Sequence, residues 1–330
     1  MSLSAFTRSD FLDRVHPTIG KWSALWLVAA AAAVPLGTGP SNVIGGCLFF
    51  TLLAAGGYRE HWLRIRRHPF ALASLVLFAV IFLGVSYSNA PFDEIRRALT
   101  KYARLLYAPI AIAVLCDGRW RRRALLAWML SMLLTLVLSY VHAVWAFPLA
   151  RATREHEIGD HFIFKHHITQ NVMMSVFAIA AFAQAWRLRA QRLAGVTNVA
   201  PSVIWAWLVV AVAAAVNVLF FVLGRTGYLT LLVNLVVVAL VAFVAAKDRR
   251  LMVVAATLMV IGVGAAVSSQ SVHNRLQAAI NEVESSQERG IATSMGQRLE
   301  YASKSIDLIK ARLRMAGQIH EARSSQKEGP

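Results

Sequence analysis

A chain of 330 residues that is 57% hydrophobic and 15% charged, with a mean hydropathy of +0.54, is too apolar for a soluble domain of this size. Lipid is the expected solvent, and a segment that crosses lipid must be a helix or a closed barrel so that its backbone groups are paired. The apolar stretches lack the period-two alternation of barrel strands, which leaves an all-α polytopic bundle. A net charge of +17 would suggest nucleic acid in a soluble protein. In a membrane protein the surplus of Lys and Arg in inward-facing loops accounts for it, and no nucleic-acid partner is expected.

In chain order, about nine spans are expected: residues 22–37, 41–57, 70–87, 99–116, 124–147, 166–186, 203–223, 227–246 and 251–267, each long enough to approach the roughly 20 residues a bilayer needs. The first is short, Ala-rich and preceded by basic residues, like a secretory signal. A second apolar run follows at once across Pro35, Gly37, Gly39 and Pro40, so an uncleaved helical hairpin is expected. Cys47 lies inside that second run and Cys116 at the end of the fourth, and neither suggests a disulfide framework or a metal site. Basic clusters fall in alternate loops, at Arg59–Arg67, Arg119–Arg123, Arg187–Arg192 and Lys247–Arg250. That alternation places these loops and residues 1–21 in the cytoplasm. The 22–267 region is then the transmembrane domain, and 268–330 a periplasmic tail. In the tail Leu299, Ala302, Ile306, Ile309 and Leu313 recur at steps of three and four, as on an amphipathic helix. Ser294 and Gln297 fit a capping box that starts this helix near Met295.

Cations on the outward side oppose the bias that orients the spans and call for a second reason. Arg96, Arg97, Lys101 and Arg104 flank the start of the fourth span, Arg225 sits in the tight Gly224-Arg225-Thr226-Gly227 turn, and Arg298 lies in the first turn of the capped helix. A guanidinium fork makes bidentate bonds to phosphate oxygens, and a helix N-terminus favours an anion. The plainer account of Arg225 is snorkelling into the headgroups, and of Arg298 a solvated helix position. His156, His161, His166 and His167 share a loop with Glu155, Glu157 and Asp160, but no zinc-ligand spacing is present, and no metal is expected. His142, Gln170, Asn171, Asn217 and Asn234 fall within or near spans, where interhelical hydrogen bonding is their usual task. No DxD, P-loop or nucleophile-elbow motif occurs.

The run Gly224-Arg225-Thr226-Gly227-Tyr228, followed about seventy residues later by Met295-Gly296-Gln297-Arg298-Leu299-Glu300-Tyr301, resembles the O-antigen ligase family and its polymerase relatives. Lys101-Tyr102-Ala103-Arg104-Leu105-Leu106-Tyr107 and Phe164-Lys165-His166-His167-Ile168-Thr169-Gln170-Asn171 resemble it too, and the likeness extends to about Ile309. It implies a metal-independent, inverting glycosyltransferase of the inner membrane without a cofactor. Such an enzyme moves a glycan from undecaprenyl diphosphate to a lipid A core at the periplasmic face. Arg225 and Arg298 would hold the diphosphate, with Arg96, Arg97, Lys101, Arg104, His166 and His167 as secondary candidates. The family's later Pro/Gly-rich segment, His-Asn motif and further spans have no counterpart here, and His320 does not match. The resemblance therefore leaves the catalytic base unassigned and implies a truncated ligase, whose activity the missing base leaves open. Competing expectations are a repeat-unit polymerase, a polytopic transporter and a nonenzymatic scaffold. The missing internal repeat and the lack of acidic residues within spans weigh against transport.

Overall fold

The computed structural model describes residues 8–115, 117–145, 148, 150–154, 160–222, 225–241 and 300–310, with isolated positions at 253, 257, 264 and 277. Every regular element among them is helical. Gly224, most of the expected ninth span, the Lys247–Arg250 loop, Cys116, the Glu155–Glu157 stretch, the Ser294–Arg298 cap and His320 lie outside the described residues. By chain contacts the molecule divides into one unit up to Val237 and a second from Val238.

In the first unit, α1 (Arg8–Leu36) and α2 (Thr38–Ala55) are separated by Gly37 alone. Pro40 falls in the first turn of α2, where its missing N–H leaves no bond unmade. The two helices pack together, and the Ser41 hydroxyl donates to the Ala33 and Gly37 carbonyls at 3.2 and 2.6 Å. The hairpin is thus closed with a tighter turn than its glycines and prolines suggest. Gly56 and Gly57 both take positive φ, 69° and 68°, a reversal that glycine enters without a Cβ penalty. It leads into α3 (Tyr58–Arg66), a short basic helix, and then α4 (Pro69–Gly84) with proline at its first position.

The fourth expected span is not one helix. After a 3₁₀ turn at Val85–Tyr87 come α5 (Phe92–Tyr102), a 3₁₀ turn (Ala103–Leu106) and α6 (Tyr107–Val114). Pro109 explains the break: its ring would clash with the carbonyl four residues earlier, at Leu105, in an unbroken α-helix, and the chain tightens there instead. α5 carries Asp93 and Glu94 in its first turn, where the helix dipole favours them. Its apolar Ile95 and Leu99 alternate with Arg96, Arg97 and Lys101, the pattern of a helix lying in a membrane interface rather than crossing it.

Asp117 caps α7 (Gly118–Val144), its carboxylate accepting from the Arg119 amide at 2.9 Å. After a single turn, α8 (Arg151–Arg154), come α9 (His167–Leu193), α10 (Pro201–Val216), a π-helical turn (Asn217–Phe221) and α11 (Arg225–Val241). Met129, Met132 and Leu136 of α7 meet Met174, Phe177 and Ala178 of α9, Ala214, Val218 and Leu231 in the main core. Trp128 stands edge-on to Phe177 with centroids 6.1 Å apart, an arrangement aromatic pairs favour.

Five helical stretches are long and apolar enough to cross a bilayer: Thr38–Ala55, Pro69–Tyr87, Gly118–Val144, His167–Leu193 and Pro201–Phe221. Lys21–Leu36 and Thr226–Val241 are apolar but shorter. Their outward faces carry Phe50, Val76, Val80, Leu83, Leu130, Val209 and Val212, all exposed. Water would not support so much contiguous apolar surface; lipid does, which is compatible with a multi-pass membrane protein. In the second unit, residues 300–310 form a helix with Glu300 and Lys304 paired at 2.6 Å.

Candidate functional site

Three segments distant in sequence meet where α7 and α10 end and α9 begins. Ser131, Thr135, Ser139 and His142 line one stripe of α7 and are all buried. At the head of that stripe, Asn217 of the π-helical turn donates to the Ser139 hydroxyl at 2.9 Å, and Ser139 donates to the His161 carbonyl at 2.6 Å. Helix-to-helix hydrogen bonds of this kind fix register where the only alternative partner is hydrocarbon. A π-turn widens a helix by one residue and is frequent at functional sites. Here it delivers Phe221 and Val222 to the loop before α9.

That loop, 160–166, is tied down along its length. The His161 amide donates to the Phe221 carbonyl at 3.1 Å and the Asp160 carboxylate at 2.9 Å. The Ile163 amide donates to the Gln170 side chain at 2.8 Å, while the Phe162 and Ile163 carbonyls accept from the Ala152 and Arg151 amides at 3.2 and 2.8 Å. Ala152, Phe162 and Val222 make a small core beneath it. The loop's backbone polar groups are therefore spent on position, and its side chains are held on a preset platform.

The expected turn at Gly224–Gly227 is helical from Arg225 on, with Gly224 outside the described residues, and the start of α11 is seated on α9. Asn171 donates to the Val222 carbonyl at 2.9 Å, and Ser175 to the Gly227 carbonyl at 3.2 Å. A Cβ on Gly227 would stand 2.6 Å from Asn171 Cγ, so only glycine fits against α9 there. Arg225 is the first residue of α11; its side chain, like Arg298 altogether, lies outside what is described.

The cations cluster around two cavities. One, of about 370 Å³, runs among α1, α2, α6 and α7, lined by Leu27, Ala31, Val34, Tyr107 and Ala111 from the helix bodies and by Thr38, Ser41 and Asn42 near the hairpin turn. Arg104 and Lys165 also line it. Burial, and then Arg104 and Arg151, hold the Lys165 ammonium below its ordinary pKa. A desolvated cation among cations is a place where an anion is favoured. The second cavity, open and about 390 Å³, is lined by Arg96, Arg97, Thr100, Lys101 and Arg104. Arg97 and Lys101, one helical turn apart, repel each other along α5.

His142 and His161 face one another through their Nδ1 atoms at 3.1 Å, and His142 Nε2 lies 2.8 Å from the Thr153 hydroxyl. Burial, with His142 adding to it, lowers the His161 pKa. His166 and His167 stack at 3.9 Å between ring centroids, and His167 Nδ1 is 3.8 Å from the Asp160 carboxylate. Among the described residues no three His, Cys, Asp or Glu side chains converge in a geometry that would hold a metal.

The structure thus brings Arg104 to Lys165 and leaves Arg96, Arg97 and Lys101 on the adjoining groove. Lys165, Arg151 and Ser139 are not singled out by sequence reasoning. Lys165 stands within the quoted Phe164–Asn171 run, but burial beside two arginines leaves no mark in sequence. Set against known protein families, curated proteins and solved structures, the chain matches none of them.

Proposed function

We propose that the chain binds a polyprenyl diphosphate-linked glycan and transfers the glycan to a lipid A core at the periplasmic face of an inner membrane. The observation that carries this reading is the cavity in which apolar walls from α1 and α6 meet the polar start of α2, Arg104 and Lys165. An isoprenoid chain takes the apolar walls, and the diphosphate the two cations. Arg225, the first residue of α11, is a further diphosphate ligand in this reading. In an inverting transfer the acceptor hydroxyl bonds to the anomeric carbon as that carbon's bond to phosphate breaks. The diphosphate leaves with the electron pair, the hydroxyl proton passes to a base, and guanidinium and ammonium groups stabilise the charge gathering on phosphate without a metal.

The test is binding of an undecaprenyl diphosphate analogue to the full chain in nanodiscs, followed by transfer of a labelled glycan to lipid A core. Arg104→Ala and Lys165→Ala are each expected to weaken binding roughly 10- to 100-fold, the size of a lost charge-assisted hydrogen bond. Undiminished affinity in both variants would overturn the reading.

A further inference from the structure

The groove along α5 adjoins the cavity at Lys165, with Arg104 lining both, and its chemistry differs. Its lining is four cations and a hydroxyl, Arg96, Arg97, Lys101, Arg104 and Thr100, with no apolar wall to take an isoprenoid tail. Among the described residues the sole carboxylate paired with any of the four is Asp93, 3.7 Å from Arg96 and itself exposed. Such a pair is weak and easily exchanged. Arg97, Lys101 and Arg104 have no ion pair among the described residues. From Arg97 to Arg104 the cationic stripe covers eight residues, about 10 Å of helix, longer than one phosphate group.

The surroundings point to a lipid rather than a soluble ligand. α5 is bracketed by aromatic side chains, Tyr87 and Phe92, each 76% exposed, with Tyr102 exposed at its end. Exposed aromatics beside an amphipathic helix mark the headgroup layer, and the neighbouring α4 is one of the stretches long and apolar enough to cross a bilayer. A helix at that depth with its cations in an open groove meets lipid phosphates first.

We infer that the α5 groove is a binding site for the headgroup of a membrane lipid carrying two phosphates, sharing only Arg104 with the site at Lys165. The inference does not depend on the glycosyl-transfer reading. Selectivity arises because two phosphates spaced along the stripe engage Arg96 and Arg97 at one end and Lys101 and Arg104 at the other. A one-phosphate lipid engages only one end.

The experiment uses the full chain in nanodiscs of phosphatidylcholine doped either with cardiolipin or with twice as much phosphatidylglycerol, so that total charge is matched. Wild type is expected to retain cardiolipin preferentially, read by native mass spectrometry. The triple variant Arg96→Gln, Arg97→Gln, Lys101→Gln is expected to lose that preference and to bind cardiolipin roughly 100-fold more weakly, as three interfacial cations predict. The variant's unfolding midpoint serves as the fold control, since these side chains are exposed. Equal retention of the two lipids by wild type would reduce the groove to bulk surface charge and overturn the inference. Displacement of cardiolipin by micromolar inorganic pyrophosphate would assign the groove to a soluble anion and overturn it as well.

Discussion

At the scale of single residues, Gly227 and His161 carry consequences that can be measured. A methyl at Gly227 has nowhere to go, because Asn171 Cγ and Nδ2 already lie 2.6 and 2.7 Å from where it would stand. Gly227→Ala is therefore expected to cost about 1–3 kcal/mol, the usual penalty of overpacking, seen as a lower unfolding midpoint in detergent. Combining it with Asn171→Ala should recover part of the loss, because residues in contact are not additive. Strict additivity of the two changes would remove the contact from the account. For His161 the sign follows from its surroundings: burial and the facing His142 hold its pKa below 6.5, so the folded state favours neutral imidazole. Between the folded pKa and 6.5 the unfolded chain binds more protons, so stability is complete above about pH 6.5 and falls as pH drops through that window. Wild type should lose midpoint between pH 6.5 and 5 more steeply than His161→Gln. Parallel slopes would show that His161 contributes nothing there. None of this is legible in the sequence, where His161 is one of four histidines in a loop. Its character comes from a neighbour 19 positions back.

At the scale of elements, the sequence discloses what repeats and conceals what breaks. The apolar runs mark α2, α4, α7, α9 and α10 because twenty apolar residues have few other uses. The fourth run looks equally continuous by composition, yet Pro109 divides it and α5 turns its cations to a groove of its own. The π-turn is invisible for a related reason: Asn217-Val218-Leu219-Phe220-Phe221 continues the apolar pattern of α10, and only the extra residue per turn distinguishes it. Two predictions belong here. Ser139→Ala removes the link between α7, the π-turn and the platform, and is expected to cost about 0.6–2 kcal/mol, the range for hydrogen bonds between membrane helices. An unchanged unfolding midpoint would mean that the π-turn holds without it. Arg97→Gln removes a repulsion from Lys101 and an attraction to Asp93, each four residues away on α5, and the two roughly cancel. Cardiolipin retention should then fall while the helicity of α5 is unchanged, so that binding is lost without loss of structure. Helicity of an isolated 92–106 peptide together with native mass spectrometry of the full chain would show both. Loss of binding with loss of helicity would make the cations merely structural.

At the scale of the whole first unit, some of the loops that charge assigns to one side of a membrane meet in space, as alternate loops of antiparallel helices do. Lys21, His61, Arg64, Ala113, Asp117 and Trp120 line a single cavity, and Arg64 and His61 both reach the Ala113 carbonyl, at 3.1 and 3.3 Å. These residues come from the start of the first span, the Arg59–Arg67 loop and the loop before α7, all of them on the basic, cytoplasmic side by charge. Thr38, Ser41, Asn42, Arg104 and Lys165 line another cavity, which also reaches Leu115 and Ala124, and His161 meets Phe221 ahead of α11. Charge bias puts the two sets of loops on opposite sides of a membrane, which reporter fusions test. The prediction is that fusions after Trp62, Trp120 and Arg189 report a cytoplasmic location, with fluorescent protein folded and alkaline phosphatase inactive, and that phosphatase fused after Ala90 or Ile163 is active. The Ala90 fusion is the most exacting of these, because it precedes four outward cations that by charge alone would pull α5 inward. If that fusion is inactive while the Ile163 fusion is active, α4 and the run from α5 to α6 do not form a crossing pair. The groove at Arg96 and Arg97 would then face the cytoplasmic leaflet.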